Sequence, residues 1–178
     1  MTGEDRLRRF QAGDPEAFEE VVQDMGPRLL GFFRRLGAPP GLAEDLVQDV
    51  FLRVLQRIDR YRPSGRADAW LLRIARNLWI DHRRRRRPAA SLEPDPELPD
   101  PGEGPRERAE RGDRASAVRF ALAALPEDTR ELLELAVLQR LPYREVAGIL
   151  GIPEGTVKSR VFYALRRLRE ECPDLEEA

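Results

Sequence analysis

Residues 143–168 read YREVAGILGIPEGTVKSRVFYALRRL. A short apolar-periodic run, Tyr143 to Leu150, stops at Gly151, a residue suited to the left-handed cap of a helix, and Glu154 opens a second run after Ile152 and Pro153. A short helix, a tight Gly-Ile-Pro turn and a basic amphipathic helix are the parts of a helix-turn-helix. On the second helix Val157, Val161, Ala164, Leu165 and Leu168 form the inward stripe, while Lys158, Ser159, Phe162, Tyr163, Arg166 and Arg169 lie outward or at the rim. Thr156 and Ser159, near its first turn, can add phosphate hydrogen bonds. Phe162, among polar neighbours, either contacts a thymine methyl or sugar or half-buries against the adjoining helix.

Upstream, helices are expected from about Asp113 to Ala124 and from Glu127 to Gln139, parted by Leu125-Pro126. Before them Pro88 to Pro105 reads PAASLEPDPELPDPGEGP, too polar and proline-rich to offset its ordering entropy, so an extended linker is expected. The chain therefore divides into a module at 1–87, a linker at 88–112 and a module at 113–178. In the first module Asp14-Pro15 looks like an N-cap and first helical position, opening a helix toward Leu36 that Pro27 should kink or split. A second helix, about Gly41 to Ile58, carries Leu42, Leu46, Val47, Val50, Phe51, Val54, Leu55 and Ile58 at helical spacing. After a turn at Arg62-Pro63-Ser64-Gly65 a third runs from about Ala67 to Arg86. Strand-like alternation is absent, so the fold class is all-α: two small helical domains on a flexible acidic linker.

The 178 residues carry a net charge of −1, which taken alone argues against a nucleic-acid partner. By segment the charge is uneven: +8 over residues 60–87 and +4 over 154–169, against −3 over 1–59, −4 over 88–116, −1 over 117–153 and −5 over 170–178. A polyanion responds to the local field, not the total. On a wheel of the helix from Ala67, Leu71, Ile74, Ala75, Leu78 and His82 share one stripe. Arg73, Arg76, Asn77, Ile80, Arg84 and Arg87 share the opposite one, with Arg83 beside it. Such a helix can pack on its own domain and lay its arginines on phosphates. Trp70 and Trp79 flank the apolar stripe, as core or rim packing or as stacking platforms. On the preceding helix Glu44, Asp45, Gln48 and Asp49 form an acidic stripe that either faces solvent or docks on a basic protein.

Other function classes find little support. No apolar run is long enough for a spanning helix, and the first residues lack the apolar segment of a secretory signal, so a cytoplasmic protein is expected. One cysteine, Cys172, excludes an internal disulfide, and one histidine, His82, leaves little for a triad or metal site. With no glycine-rich phosphate loop or catalytic set in the sequence, no enzyme activity, metal, cofactor or small-molecule substrate is expected.

Four ordered segments, AEDLVQDVFLRVL (43–55), AWLLRIARNLWIDHRRR (69–85), LPEDTRELLEL (125–135) and the helix-turn-helix at 143–168, together resemble the sigma-70 superfamily. Length and layout are similar to an extracytoplasmic-function (ECF) sigma factor with regions two and four alone. The resemblance implies an RNA polymerase sigma factor that binds core polymerase through its beta-prime and beta subunits, selects promoters and promotes opening. It assigns core docking to Asp45, Leu46, Gln48, Asp49, Phe51 and Arg53. Minus-ten contacts fall to Tyr61, Arg62, Arg66, Arg73, Arg76, Asn77, Ile80, Arg83 and Arg84, with the loop from Arg60 to Arg66 capturing an unstacked base. Minus-thirty-five contacts fall to Thr156, Lys158, Ser159, Arg160, Phe162, Tyr163 and Arg166. The sequence departs from the family pattern at Tyr163, where a basic residue is common, and in Pro63 to Ala67. A separately encoded anti-sigma partner is implied, with a free protein that is monomeric. The alternative is a stand-alone helix-turn-helix regulator whose N-terminal module senses a ligand.

Overall fold

The computed structural model describes residues 3–62, 66–86, 122 and 124–171; among them every regular element is helical. The linker at 88–112, the helix expected at 113–124 apart from Leu122 and Ala124, residues 63–65, Arg87 and Cys172 lie outside the described residues. The chain falls into two compact units, Met1–Ala90 and Ser91–Ala178.

The first unit contains α1 (Gly3–Gln11), α2 (Pro15–Arg35), α3 (Pro40–Arg57), a 3₁₀ turn (Ile58–Arg60) and α4 (Ala67–Arg86). Asp14 caps α2 as its sequence suggests: its carboxylate accepts from the Glu16 and Ala17 amides at 3.1 and 3.3 Å, with Pro15 at the first helical position. The Arg9 hydrogen bond, working against a smaller burial effect, holds this carboxyl below the usual range. Gly13, at φ 98°, turns the chain between α1 and α2 and lets the Asp14 amide return to Arg9 O at 3.0 Å. Pro27 does not split α2. It stands on the solvent side, where the Gln23 carbonyl it leaves without a donor can be hydrated, while Val21, Met25, Leu29 and Phe32 keep one buried stripe across it. Phe10 stacks on Phe18 at 4.8 Å and Phe51 meets Phe18 edge-on at 6.1 Å, tying α1, α2 and α3 together. Leu46, Val50 and Val54 of α3 and Leu71, Ile74, Ala75 and Leu78 of α4 are buried.

The second unit contains α5 (Glu127–Leu133), a π turn (Glu134–Leu138), α6 (Tyr143–Leu150) and α7 (Glu154–Glu171). The single helix expected to Gln139 is therefore α-helical only to Leu133. The Gln139 amide bonds Glu134 O at 2.8 Å and its side chain bonds the Glu134 carboxylate at 2.9 Å. Both side chains are buried, and widening the helix sets them side by side. Pro126, Pro142 and Pro153 each precede a helix and offer a carbonyl to its first free amides. Gly151 caps α6 at φ 69°, its amide on Ala147 O at 2.9 Å, and the chain turns into α7 with Val146, Ile149, Val157 and Val161 in one core.

Arg140 adopts φ 53°, a left-handed conformation that costs a side-chain-bearing residue about 1–2 kcal/mol. Arg140→Gly is therefore expected to stabilise the second unit by ~0.5–1 kcal/mol, since glycine's greater unfolded freedom cancels part of the gain. Gly151→Ala, at the corresponding cap, destabilises it by ~1 kcal/mol; chemical denaturation of the full chain reads both.

Candidate functional site

Three surfaces gather the residues singled out in the sequence. On α3, Asp45, Gln48 and Asp49 are exposed in one stripe, Arg53 is half-buried, and Glu44 reaches Arg34 at 3.5 Å. Leu46 is buried and Phe51 is half-buried on Phe18, so these two hold α3 in place beneath its outer face. The sequence reading missed Leu52, which lies one helical turn beyond Gln48 and Asp49 and is 53% exposed. Leu55, expected in the core stripe, is 42% exposed. The apolar stripe of α3 is wider than the surface available to cover it, and the surplus leucines join the acidic stripe. Apolar residues rimmed by charge have the composition of a protein-binding patch.

On α4, Arg73, Asn77, Ile80 and Arg84 to Arg86 are exposed, and Arg76 and Arg83 are half-buried. Asp81 approaches Arg84 only to 3.8 Å, with the arginine side chain 83% exposed. Trp79 belongs to the interior: it is buried, stacked on His82 at 6.2 Å, with the Arg83 guanidinium 6.0 Å from its ring. Burial, then the charges of Arg86 and Arg85, holds the His82 pKa below its usual value, so His82 is neutral at pH 7. Trp70 is half-buried against Tyr61, ring centres 4.9 Å apart. Tyr61 itself is buried and presents no face to solvent. Arg62 turns back on its own loop, donating to Asp59 O at 3.0 Å and Tyr61 O at 3.1 Å.

Arg66 is committed differently from what a charge count suggests. Its guanidinium grips Asp68 at 2.7 and 3.0 Å, and Arg28 of α2 reaches the same carboxylate at 3.3 Å. Burial pushes the Asp68 carboxyl up, but the Arg66 hydrogen bond and charge, with Arg28, outweigh it and hold the group below the usual carboxylate value. The Asp68 cluster borders a cavity of about 470 Å³ also lined by Arg6, Leu7, Val21 and Met25. The charged rim is already paired, Arg6 with Glu20 and Asp24 as well as Arg66 with Asp68. Among the described residues no His/Cys/Asp/Glu group is arranged to hold a metal, and no helix is long and apolar enough to cross a membrane.

On α7, Lys158, Ser159, Arg160, Phe162, Tyr163 and Arg166 are exposed and Thr156 is half-buried. Ser159 donates its hydroxyl to Thr156 O at 3.1 Å, which leaves the oxygen lone pairs outward and the proton within the helix. Phe162 is 61% exposed and Tyr163 58%. Their rings meet edge-on at 5.5 Å, and the Arg166 guanidinium lies 5.3 Å from the Tyr163 ring centre. The aromatics are thus held outward as a group among the cations of the second helix of the helix-turn-helix.

Comparison with known proteins agrees with this division. The Sigma-70 region 2 family matches residues 21–89 and the Sigma-70, region 4 family matches residues 115–168. The ECF RNA polymerase sigma factor RpoE of Cereibacter sphaeroides is 37% identical over 164 residues, covering 88% of this chain and 87% of the relative. The chain belongs to the ECF RNA polymerase sigma factor family. A second member, ShbA of Streptomyces griseus, is 36% identical across 92% of this chain and 91% of its own. Among solved structures, CnrH in complex with the cytosolic domain of CnrY has a TM-score of 0.69 at 25% identity, covering 94% of each chain. The sigma factor RpoE of Bartonella quintana, in complex with the anti-sigma factor NepR, has a TM-score of 0.65 at 25% identity, covering 90% of this chain and 98% of that one. In this sigma factor the region 2 match begins inside α2 and reaches past α4, and the region 4 match contains α5, α6 and most of α7.

The Asp68 cluster gives a pH signature. A carboxyl whose pKa is lowered by folding adds stability above its unfolded pKa of about 4, and that stability is lost as pH falls through the folded value. Wild type is expected to exceed Asp68→Asn in stability most at pH 6–7, with the gap closing as pH falls below about 4; denaturation curves across pH test it.

Proposed function

We propose that this ECF sigma factor binds core polymerase through the outer face of α3, presents α4 and the preceding loop to the minus-ten element, and reads the minus-thirty-five element with α7. The domain limits follow the same reading: 1–87 for docking and opening, 88–112 as linker, 113–178 for upstream recognition. The observation that carries it is the division of surface within the first unit. One helix exposes Asp45, Gln48, Asp49, Leu52 and Leu55, and another exposes Arg73, Asn77, Ile80 and Arg84, where Asp81 comes no nearer to Arg84 than 3.8 Å. A protein that met only DNA would have no use for the first surface, because it repels phosphate.

The working residues fall into touching and supporting sets. Asp45, Gln48, Asp49 and Arg53, with Leu52 and Leu55, meet polymerase, over the buried Leu46 and the half-buried Phe51. Arg73, Arg76, Asn77, Ile80, Arg83 and Arg84 hold the opened strand, Arg62 lies at the capturing loop, and Tyr61 and the Asp68-bound Arg66 fix where that loop begins and ends. Thr156, Lys158, Arg160 and Arg166 bind phosphates or base edges, Ser159 accepts, and Phe162 and Tyr163 offer apolar contacts suited to thymine methyls. Opening needs no nucleotide hydrolysis: capture of a flipped base and backbone contacts offset an unstacking cost of a few kcal/mol. The protein acts in the cytoplasm as a monomeric specificity subunit, not an enzyme. The complex of the Bartonella quintana sigma factor RpoE with the anti-sigma factor NepR, among its structural relatives, supports control by an anti-sigma factor. A ligand-sensing regulator would use the cavity at Asp68, but the charged rim there is already paired.

Asp49→Arg should weaken core association at least about tenfold, the scale of reversing one charge in a docked patch, and leave the melting curve unchanged. Arg84→Glu should spare core affinity and impair initiation from duplex promoters, with activity returning on a template already melted at the minus-ten element. Titration against sigma-free core polymerase reads both; equal core affinity for wild type and Asp49→Arg would remove α3 from the docking surface.

A further inference from the structure

The Gly3–Gln11 helix lies outside both family matches. Its last residue faces the chain that leaves α3. Gln11 Nε2 donates to Ile58 O at 2.9 Å and lies 3.3 Å from Tyr61 O and 3.4 Å from Asp59 O. These carbonyls stand at the end of α3 and its 3₁₀ turn, where helical geometry leaves acceptors without intrahelical donors. Arg62 reaches two of the same oxygens, and the Tyr61 amide returns to Ile58 O at 2.9 Å. The helix that carries Gln11 is itself bolted down. Arg6 pairs with Glu20 at 3.1 Å and Asp24 at 2.9 Å, Arg9 pairs with Asp14 at 2.7 Å and Glu20 at 3.1 Å, and Leu7 is wholly buried. A continuous set of contacts therefore runs from α2 through α1 to Ile58–Tyr61.

We propose that Gln11 is a positioning residue for promoter opening: by holding the Ile58–Tyr61 carbonyls it fixes the direction in which the chain leaves α3 toward the loop that captures the unstacked base. The inference rests on the minus-ten reading of region 2 given above. A loop ordered only at capture spends part of the binding gain on its own ordering, whereas one anchored beforehand keeps it. The chemistry required of residue 11 is donation. A glutamine amide supplies two N–H groups and an arginine supplies more, but a carboxylate supplies none and is repelled by the carbonyls. Because Gln11 is exposed, its replacement leaves the core intact.

The test uses the full chain with core polymerase, on a duplex promoter and on the same promoter mismatched across the minus-ten element. Gln11→Ala and Gln11→Glu are expected to lower initiation from the duplex about tenfold, the scale of one or two net hydrogen bonds, and to stay within about twofold of wild type on the mismatched template. Gln11→Arg should retain near wild-type initiation on both, and none of the three should change core affinity. Amide exchange over 58–62 should rise about tenfold in Gln11→Ala, a readout independent of polymerase. Unchanged duplex initiation by Gln11→Ala, equal loss on both templates, or unchanged exchange each overturns the proposal. Wild type silent on both templates would instead strike the region 2 reading, and exchange alone would then decide whether Gln11 holds the loop.

Discussion

α4 can be buried on one side only. Leu71, Ile74, Ala75 and Leu78 enter the core shared with α2 and α3, the leucines and isoleucine each worth about 1.5–3 kcal/mol of burial, and that choice forces Arg73, Asn77, Ile80 and Arg84 to the surface. The same core takes Leu46, Val50 and Val54 from α3 and leaves that helix's acidic stripe outside. Two surfaces of opposite charge thus follow from one packing decision. Arg83 to Arg86 sit in the last turn of α4, where the helix dipole favours cations, yet they still repel one another. A phosphate backbone would relieve that repulsion, which suits the proposed contact of this face with DNA.

The second unit meets a different constraint, because a small domain has little apolar area with which to fix its helices. It relies on punctuation. A proline precedes each of α5, α6 and α7, Gly151 takes the left-handed turn, and Glu134 with Gln139 forms a buried polar pair inside a π turn. These devices orient α7 so that Val157, Val161 and Ala164 are covered and Phe162 and Tyr163 are not. In the first unit α1 plays the corresponding part, adding ion pairs and one side-chain amide that donates to the carbonyls between Ile58 and Tyr61.

Much of this was legible in the sequence wherever the signal was local or periodic. Asp14-Pro15, Gly151 and the two faces of α4 and α7 depend on neighbours three or four residues away. The rest depends on partners distant in sequence. α1 offers only Leu7 and Phe10 as apolar anchors among arginines, and what holds it is pairing with Asp14, Glu20 and Asp24 and stacking on Phe18. Leu55 fits the apolar period of α3, but periodicity does not say how wide a stripe the other helices can cover. Arg66 counts as a free cation until Asp68 is seen to grip it, and Tyr61, which the resemblance assigns to minus-ten contact, is buried against Trp70. The π turn is invisible to periodicity because it exists to seat Glu134 against Gln139.

The central claim is that these surfaces together give polymerase a bipartite promoter preference. Its most direct test is initiation by core polymerase plus this chain on a library randomised upstream of the start site, with transcripts sequenced. The account predicts that the chain enriches templates sharing two short elements at fixed separation, the upstream one containing thymines where Phe162 and Tyr163 reach the major groove. A template distribution identical to that of core polymerase alone would contradict it.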